Sequence, residues 1–383
     1  MKIALPDNQG RTSPYRLHAN PVAALPVAAD ASRVVFAAAH VVADPFADAD
    51  PSGSPALDWD ATMAFRRHLA GLGLGIAEAM DTAQRGMGLD WSGALALIRR
   101  TRAELPQALV FNGCGTDQLE PGDARGIDDV RAAYLHQAAA IQQVGGRLIV
   151  MASRALARVA ASPDDYASVY GAVLAAADRP VILHWLGPMF DPALAGYWGA
   201  ARFEDALETV LAIIADNRAR VDGIKISLLD KGKEIALRRR LPPGVRMYTG
   251  DDFNYPELMA GDPQGHSDAL LGIFDPLAPA VGGALARLDA GDTAGFRAAL
   301  APTVPLARHI FRAPTRFYKT GVVFLAWLNG HQEHFIMPDG AQAMRSLPYF
   351  CDCFRLADAA GLLADPDRAV VRMRRLLAVH GLA

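Results

Sequence analysis

Cysteine, long apolar runs and excess charge are all scarce in this sequence, and each shortage excludes a class of protein. The 383 residues include three cysteines, Cys114, Cys351 and Cys353. Their spacing matches no zinc site and argues against a disulfide scaffold at this length. No stretch approaches the roughly 20 apolar residues of a membrane span, and the first residues lack the apolar run of a signal peptide. We therefore expect a cytoplasmic protein.

The charge balance and the apolar content indicate a globular enzyme that acts on a small molecule. The formal net charge is only −3, so electrostatics give no reason to expect nucleic acid or an anionic membrane as a partner. Hydrophobic residues make up 51% of the chain, which is enough for a large core in one or two domains.

Short apolar runs alternate with amphipathic stretches through most of the chain. The runs are of strand length and cover 34–39, 75–80, 108–112, 148–152, 181–185, 223–226, 245–249 and 269–274. Helical spacing of apolar residues follows in between, at 60–72, 90–102, 127–144, 164–177, 203–219 and 229–240. Apolar strands alternating with helices indicate a parallel sheet covered on both faces. Eight such units predict a (β/α)8 TIM barrel, with a doubly wound sheet as the alternative.

The alternation stops after Phe274, and the remaining sequence is typical of helices. Helical patterns cover 275–289, 293–312, 315–329, 341–359 and 366–380, separated by Gly and Pro. We predict an irregular N-terminal arm at 1–32, the barrel at 33–275, and a C-terminal helical extension at 276–383 that packs on the barrel.

Polar residues fall at the ends of the predicted strands, where barrel enzymes carry their catalytic groups. They are His40, Asp81, Thr82, Asn112, Ser153, Arg154, His184, Lys225, Asp251 and Asp252. Lys225 is the sharpest signal, because nothing in its apolar run calls for a charge. Burial lowers the pKa of a lysine, and a neutral amine can attack a carbonyl to form a Schiff base. A structural lysine that is ion-paired with Asp81 or Asp251 is the alternative.

The segment Gly223-Ile224-Lys225, followed by Tyr248-Thr249-Gly250-Asp251-Asp252, resembles the dihydrodipicolinate synthase and N-acetylneuraminate lyase superfamily. The resemblance runs from about Val34 to Leu363 and fits a divergent branch labelled dihydrodipicolinate synthase-like. It implies a class I mechanism, in which Lys225 attacks the 2-keto carbon of a pyruvate-like substrate. It also implies that Gly250 and Asp251 shape the pocket near the lysine.

Two departures from the family pattern bear on the substrate and on proton transfer. Where the family has Gly-Thr-Thr-Gly-Glu to hold a substrate carboxylate, this chain has Met80-Asp81-Thr82-Ala83-Gln84, and an aspartate there would repel a carboxylate. Asp81 therefore favours a polyol or sugar substrate. The family's proton-relay tyrosine has no counterpart in residues 148–154, and His184 is the best replacement because imidazole titrates near neutrality.

These observations predict a Schiff-base lyase or aldolase that acts on a small hydroxylated keto compound, such as a keto-sugar acid, without a cofactor. Lys225 would form the imine, and His184 or Asp81 would act as acid or base. The predicted substrate-binding residues are Thr82, Arg154, Gly250, Asp251 and Asp252. A core histidine and an arginine that caps a loop remain the alternatives for His184 and Arg154. The helical extension and the family pattern suggest a homodimer or homotetramer.

Two other functions fit the same barrel. His40, Asp81, His184, Asp251 and His266 are ligand types for a divalent metal, which a sugar isomerase, epimerase or metal-dependent aldolase would use. No tight ligand motif supports that set. A non-catalytic barrel that binds a metabolite is the third possibility, because fold does not fix function.

Overall fold

The computed structural model describes residues 1–48 and 55–382. Its strands are β1 (Lys2–Pro6), β2 (Thr12–Arg16), β3 (Val35–Ala38), β4 (Gly75–Glu78), β5 (Val110–Cys114), β6 (Arg147–Val150), β7 (Val181–Leu186), β8 (Val221–Ser227), β9 (Arg246–Thr249) and β10 (Asp268–Leu271). Strands β3 to β10 are parallel and pair in chain order, and β10 closes a barrel against β3. The predicted TIM barrel is confirmed, and closure excludes the doubly wound alternative.

Helices follow the barrel strands and then form the C-terminal extension. Those of the barrel are α1 (Trp59–Gly71), α2 (Trp91–Glu104), α3 (Ile127–Gln143), α4 (Arg154–Val159), α5 (Pro163–Ala176), α6 (Phe203–Asp216), α7 (Lys231–Arg238) and α8 (Tyr255–Ala260). Those after β10 are α9 (Phe274–Asp289), α10 (Thr293–Leu300), α11 (Val304–Ile310), α12 (Tyr318–Leu328), α13 (Leu347–Ala359) and α14 (Pro366–Val379). Short 3-10 turns lie at Asp81–Ala83, Pro192–Leu194, Tyr197–Gly199, Arg218–Arg220, Ala301–Thr303, Thr315–Phe317 and Pro338–Met344.

Alternation along the strands separates the interior of the barrel from its outer layer. On β8, Ile224 and Ile226 belong to the apolar cluster between the strands and the helices. Because successive side chains point to opposite faces of a strand, Lys225 points into the barrel. The interior is filled by aromatic rings, with Phe36 in edge-to-face contact with Phe111 at 5.4 Å and with Tyr248 at 5.9 Å. The barrel interior is therefore a packed core and not a pore.

The N-terminal arm is more regular than its sequence suggested, and the prediction of an irregular segment is wrong for its first part. Strands β1 and β2 form an antiparallel hairpin in which Ile3 pairs with Tyr15. Ile3 and Leu5 alternate with exposed residues and are buried, a period-two pattern that the proline-rich composition obscured. The Tyr15 hydroxyl donates a hydrogen bond of 2.7 Å to Asp358 on α13, so the arm is fastened to the extension.

Three histidines gather around Phe65 where the extension meets the barrel. The ring centroids of His40, His68 and His331 lie 4.3, 5.8 and 5.0 Å from that of Phe65. His40 Nδ1 is 2.7 Å from a carboxylate oxygen of Asp275. Burial, reinforced by the charges of His68 and His40, lowers the pKa of His331 to about 3. In the folded protein His331 therefore stays neutral down to about pH 3. In the unfolded chain the same histidine binds a proton below its usual pKa of about 6.5.

Acidification is expected to weaken this contact between the barrel and the extension. The contribution of a neutral His331 is fully present above pH 6.5 and is lost as the pH falls towards 3, because only the unfolded chain gains the proton. The loss from this site reaches about 2 kcal/mol at pH 5. Urea unfolding at pH 7.5 and pH 5 measures this loss of unfolding free energy. His331→Asn should make the unfolding free energy less dependent on pH. The control His136→Asn, on the exposed side of α3, should leave the pH dependence as in the wild type. Equal pH dependence in the wild type and His331→Asn would contradict the expectation.

Candidate active site

Lys225 lies on the inner face of β8, two residues before its end, and is 7% exposed. The following loop makes room for its side chain. A Cβ atom added to Gly250 would lie 2.9 Å from Lys225 Cε and 2.6 Å from the carbonyl oxygen of Ile226. Both distances are too short for a real contact, so only glycine lets the loop after β9 pass this close to the lysine. Gly250 therefore lies directly against the side chain of Lys225.

The amine of Lys225 is buried without a counter-ion in contact. Burial lowers its pKa, and the charges of Asp81 and Asp252 partly oppose that shift. Among the described residues, no carboxylate oxygen lies within 4 Å of Lys225 Nζ, and no hydrogen bond to Nζ is formed. The sequence left open a structural ion pair between Lys225 and Asp81 or Asp251. Within residues 1–48 and 55–382 that ion pair is not formed. A partly desolvated, unpaired amine is the state that a Schiff-base lysine requires.

Asp251 and Asp252 are adjacent but have different surroundings. Asp251 Oδ1 accepts hydrogen bonds from the backbone N–H groups of Phe253 and Asn254, at 2.9 and 3.1 Å, so its carboxylate holds the loop in shape. Asp252 Oδ1 accepts only the N–H of Ile273, at 2.9 Å, among the described residues. Burial raises the pKa of Asp252 to about 7, although the charge of Lys225 lowers it. Asp252 is thus a carboxyl group near Lys225 that can exchange a proton near neutral pH.

His184 stands beside Lys225 in the register of β7 and β8. Its Nε2 is 3.3 Å from the Ser227 hydroxyl, and its Nδ1 has no partner among the described residues. Burial and the charge of Lys225 hold the pKa of His184 well below the usual value. The ring is therefore neutral at pH 7, which suits a hydrogen bond to substrate better than the uptake of a proton.

Asp81 and Thr82 form a 3-10 turn after β4, and the C-terminal extension reaches them there. The Thr82 hydroxyl is 2.8 Å from the phenol oxygen of Tyr318, the first residue of α12. A Cβ atom on Gly272 would lie 3.1 Å from the Tyr318 ring and 3.2 Å from Thr82 Oγ1, so glycine after β10 admits the ring. Burial, with the charges of Asp81 and Asp252, raises the pKa of Tyr318 well above its usual value. The phenol therefore stays protonated at neutral pH.

Tyr318 is a candidate functional residue that the sequence analysis did not find. It opens a helix that is otherwise almost wholly apolar, in the order Tyr318, Lys319, Thr320, Gly321. All three polar side chains are buried. A run of polar residues at the start of a buried helix was the available signal, although nothing local indicated which part of the barrel it would reach.

A cavity of about 180 Å³ begins at Asp81 and His184 and runs outwards past Arg154. Ser153 caps α4 by accepting a hydrogen bond of 3.0 Å from the N–H of Leu156, which places Arg154 at the cavity wall. Arg154 Nε is 2.5 Å from a carboxylate oxygen of Asp191, and the arginine side chain is 46% exposed. The cavity therefore carries the Arg154–Asp191 ion pair at its mouth and Asp81 at its inner end.

The structure does not assemble the alternative set of metal ligands. His266 precedes β10 and so lies at the opposite end of the barrel from His184. His40 Nδ1 is bonded to Asp275, and Asp251 is engaged in its own loop. Across residues 1–48 and 55–382, no three His, Cys, Asp or Glu side chains are arranged to hold a metal ion. The prediction that His266 shares one rim with His40, Asp81, His184 and Asp251 is therefore wrong.

The fold has close counterparts among solved structures of the dihydrodipicolinate synthase type. Dihydrodipicolinate synthase from Thermotoga maritima is 14% identical, with a TM-score of 0.64 over 86% of this chain and 99% of that one. The Aquifex aeolicus enzyme is 13% identical, with a TM-score of 0.61 over 91% and 98%. YagE, a prophage protein from E. coli K12 of the same family, in complex with pyruvate, is 16% identical, with a TM-score of 0.62 over 92% and 99%.

These similarities show that the barrel and its helical extension share the fold of dihydrodipicolinate synthase structures, so the predicted resemblance is confirmed for the fold. Residues 3–382 match a family model described as "Protein of unknown function (DUF993)", so the chain belongs to that family. A comparison with curated proteins finds no match. None of the helices in the described part of the chain is both long and apolar enough to cross a membrane.

Proposed function

We propose that this protein is a Schiff-base lyase or aldolase that acts on a small hydroxylated keto compound. The unpaired amine of Lys225, buried at the end of a barrel strand, is the observation that carries the proposal. Similar folds support it, since several of the structures with this fold are dihydrodipicolinate synthases and one, YagE, is in complex with pyruvate, a keto acid.

The reaction begins when Lys225 Nζ attacks the substrate carbonyl carbon. The carbinolamine then loses its hydroxyl group as water, and the product is a protonated imine. This cation accepts the electron pair of the bond between the α and β carbons when that bond breaks. A base takes the proton of the hydroxyl group on the β carbon, and that carbon leaves as the carbonyl group of the first product. The resulting enamine is protonated on carbon, and water releases the product and the free amine.

The surrounding groups can move the protons that these steps require. Asp252, with its pKa raised to about 7, can donate a proton to the departing hydroxyl group and accept one back. The Thr82 and Tyr318 hydroxyl groups can accept and donate in sequence, and so carry a proton between the substrate and the cavity. Asp81 and neutral His184 can bind substrate hydroxyl groups by hydrogen bonds.

Borohydride reduction tests the imine directly. Purified protein, incubated with keto acids and keto-sugars and then reduced, should gain the mass of one reduced ligand on the peptide that contains Lys225. The adduct should form equally in EDTA, because the amine needs no metal to attack a carbonyl. No adduct across a broad panel, combined with turnover that EDTA abolishes, would reject the proposal in favour of metal-dependent chemistry. Ligand binding without either result would indicate the non-catalytic alternative.

We also propose that the active form is a cytoplasmic homodimer or homotetramer. The support is the family pattern of the resemblance together with the long helical extension, which adds a large surface beside the barrel. Light scattering of the purified protein at several concentrations measures the mass. A monomer at every concentration would reject this part of the proposal.

A further inference from the structure

A buried hydrogen-bonded pair, His184 and Ser227, lies beside Lys225 on two neighbouring strands. His184 of β7 is the register partner of Lys225 on β8, and Ser227 follows two residues later on the same face of β8. The Ser227 hydroxyl oxygen is 3.3 Å from His184 Nε2. His184 is fully buried and Ser227 is 2% exposed, so bulk water does not compete for this contact.

The surroundings of the pair indicate which partner donates the hydrogen. Among the described residues, His184 Nε2 is the one hydrogen-bond acceptor that the Ser227 hydroxyl meets. A hydroxyl hydrogen that is buried without an acceptor is costly, so Ser227 donates to Nε2 and Nε2 carries no hydrogen. Burial and the charge of Lys225 hold the pKa of His184 well below its usual value, so the ring is neutral at pH 7 and carries one hydrogen. That hydrogen is therefore on Nδ1.

The resulting Nδ1–H group has no acceptor from the described part of the protein. Nδ1 is buried without a hydrogen-bond partner among those residues, and His184 lines the cavity of about 180 Å³ that begins at Asp81. Buried N–H groups in folded proteins almost always have an acceptor. An oxygen of a ligand in the cavity would provide one, and the register of β7 and β8 puts this donor beside the strand position of Lys225.

We propose that Ser227 is a positioning residue that fixes His184 as an Nδ1–H donor to the substrate carbonyl oxygen when Lys225 attacks the carbonyl carbon. The inference rests on the proposed function for the position of that carbonyl. The oxygen gains negative charge as Nζ adds to the carbon, and a fixed N–H donor in a buried site stabilises that charge. His184 keeps its own hydrogen throughout, and the proton that converts the oxygen to a hydroxyl group comes from Asp252.

The position of the hydrogen on His184 can be measured without substrate. Nitrogen NMR of the intact protein with isotope-labelled histidine distinguishes protonated from unprotonated ring nitrogens, and His184→Asn identifies the His184 signals by their loss. At pH 7.5 the wild type should carry the hydrogen on Nδ1, which is the less common position in free histidine. Ser227→Ala should raise the fraction protonated on Nε2. The matched control is Ser267→Ala, at a buried serine that donates a hydrogen bond of 2.7 Å to Glu234, and it should change nothing at His184. A wild-type ring that is protonated on Nε2, or an Nδ1–H form that persists unchanged in Ser227→Ala, would overturn the proposal.

The rate of imine trapping tests what the donor does and separates this inference from the proposed function. With cyanoborohydride present throughout, Ser227→Ala should form the Lys225 adduct at least tenfold more slowly at saturating ketone, whereas Ser267→Ala should not. His184→Gln should slow adduct formation about 100-fold, the usual effect of removing one such donor. His184→Asn should be at least tenfold faster than His184→Gln, because the amide nitrogen of asparagine can take the place of Nδ1 and that of glutamine the place of Nε2. Equal rates in the two His184 variants would reject the donor role and leave the Schiff-base function intact. If no ketone is trapped even by the wild type, the function is rejected, and the NMR result alone decides whether Ser227 fixes the ring.

Discussion

Replacing Lys225 with methionine is expected to abolish borohydride trapping at this position and to lower turnover by about 1,000-fold or more. Methionine retains the length and the apolar stem of lysine, so contact with the loop at Gly250 persists while the amine is removed. Since the buried ammonium has no bonded carboxylate among the described residues, its removal also relieves a desolvation cost. We expect the free energy of unfolding to remain unchanged or to rise by about 1 kcal/mol.

The stability of this variant distinguishes a reactive lysine from a structural one. A lysine that neutralised Asp252 through a buried ion pair would leave an uncompensated carboxylate when replaced, at a cost of about 3–5 kcal/mol. Urea unfolding of the wild type and Lys225→Met, alongside the trapping assay, measures both effects. Lys231→Met serves as a lysine control outside the cavity. A loss of several kcal/mol in Lys225→Met would contradict the unpaired state described here.

The parts of the site that strands provide could be predicted from the sequence, because parallel topology restricts where they end. Once the apolar runs at 181–185 and 223–226 are taken as neighbouring barrel strands, His184 and Lys225 must meet at the same rim. The same reasoning requires knowledge of where each strand ends. The run predicted at 108–112 forms strand β5, which continues to Cys114. Asn112 therefore lies inside the strand and not at its end. Its side chain donates a hydrogen bond of 2.9 Å to the carbonyl oxygen of Arg147, away from the cavity.

Interactions between distant segments could not be predicted from local patterns. Residue type alone predicts that His266 joins the rim histidines, but His266 precedes its strand and therefore lies at the other end of the barrel. Tyr318 is 236 positions from Thr82 in the sequence, and Lys319 follows it directly. They reach the barrel only because α12 packs across its mouth. Periodicity predicts that such a helix exists, whereas its position depends on the packing of the whole extension.

Tyr318 offers a physical answer to the missing proton-relay tyrosine. Residues 148–154 contain no tyrosine, yet the structure places a phenol from α12 within 2.8 Å of Thr82. A hydroxyl group acts by its position and its hydrogen bonds, so the segment of chain that supplies it is immaterial. The extension would then complete the site in addition to stabilising the barrel.

Tyr318→Phe is expected to leave imine formation within a few-fold of the wild type and to slow proton transfer by about 100-fold, the usual contribution of a positioned acid or base. The readout is exchange of the α-hydrogens of a ketone ligand with solvent deuterium in the absence of borohydride, followed by NMR. Borohydride trapping of the same ketone in a separate sample measures imine formation. Thr82→Val should cause a similar loss, and the double variant should be little worse than either single one, because both hydroxyl groups serve one path.

The chain provides a matched control for the lost hydrogen bond itself. Tyr255 and Thr303 form another buried hydroxyl pair, and the hydroxyl of Thr303 also donates to the carbonyl oxygen of Leu300 rather than to a residue of the candidate site. Tyr255→Phe should lower the free energy of unfolding by about 1 kcal/mol, as Tyr318→Phe should, but it should leave deuterium exchange unchanged. If both variants slow exchange equally, the effect of Tyr318→Phe is a general loss of rigidity. If only Tyr318→Phe slows it while Lys225 still traps the ketone, the phenol transfers the proton, and the C-terminal extension is part of the active site.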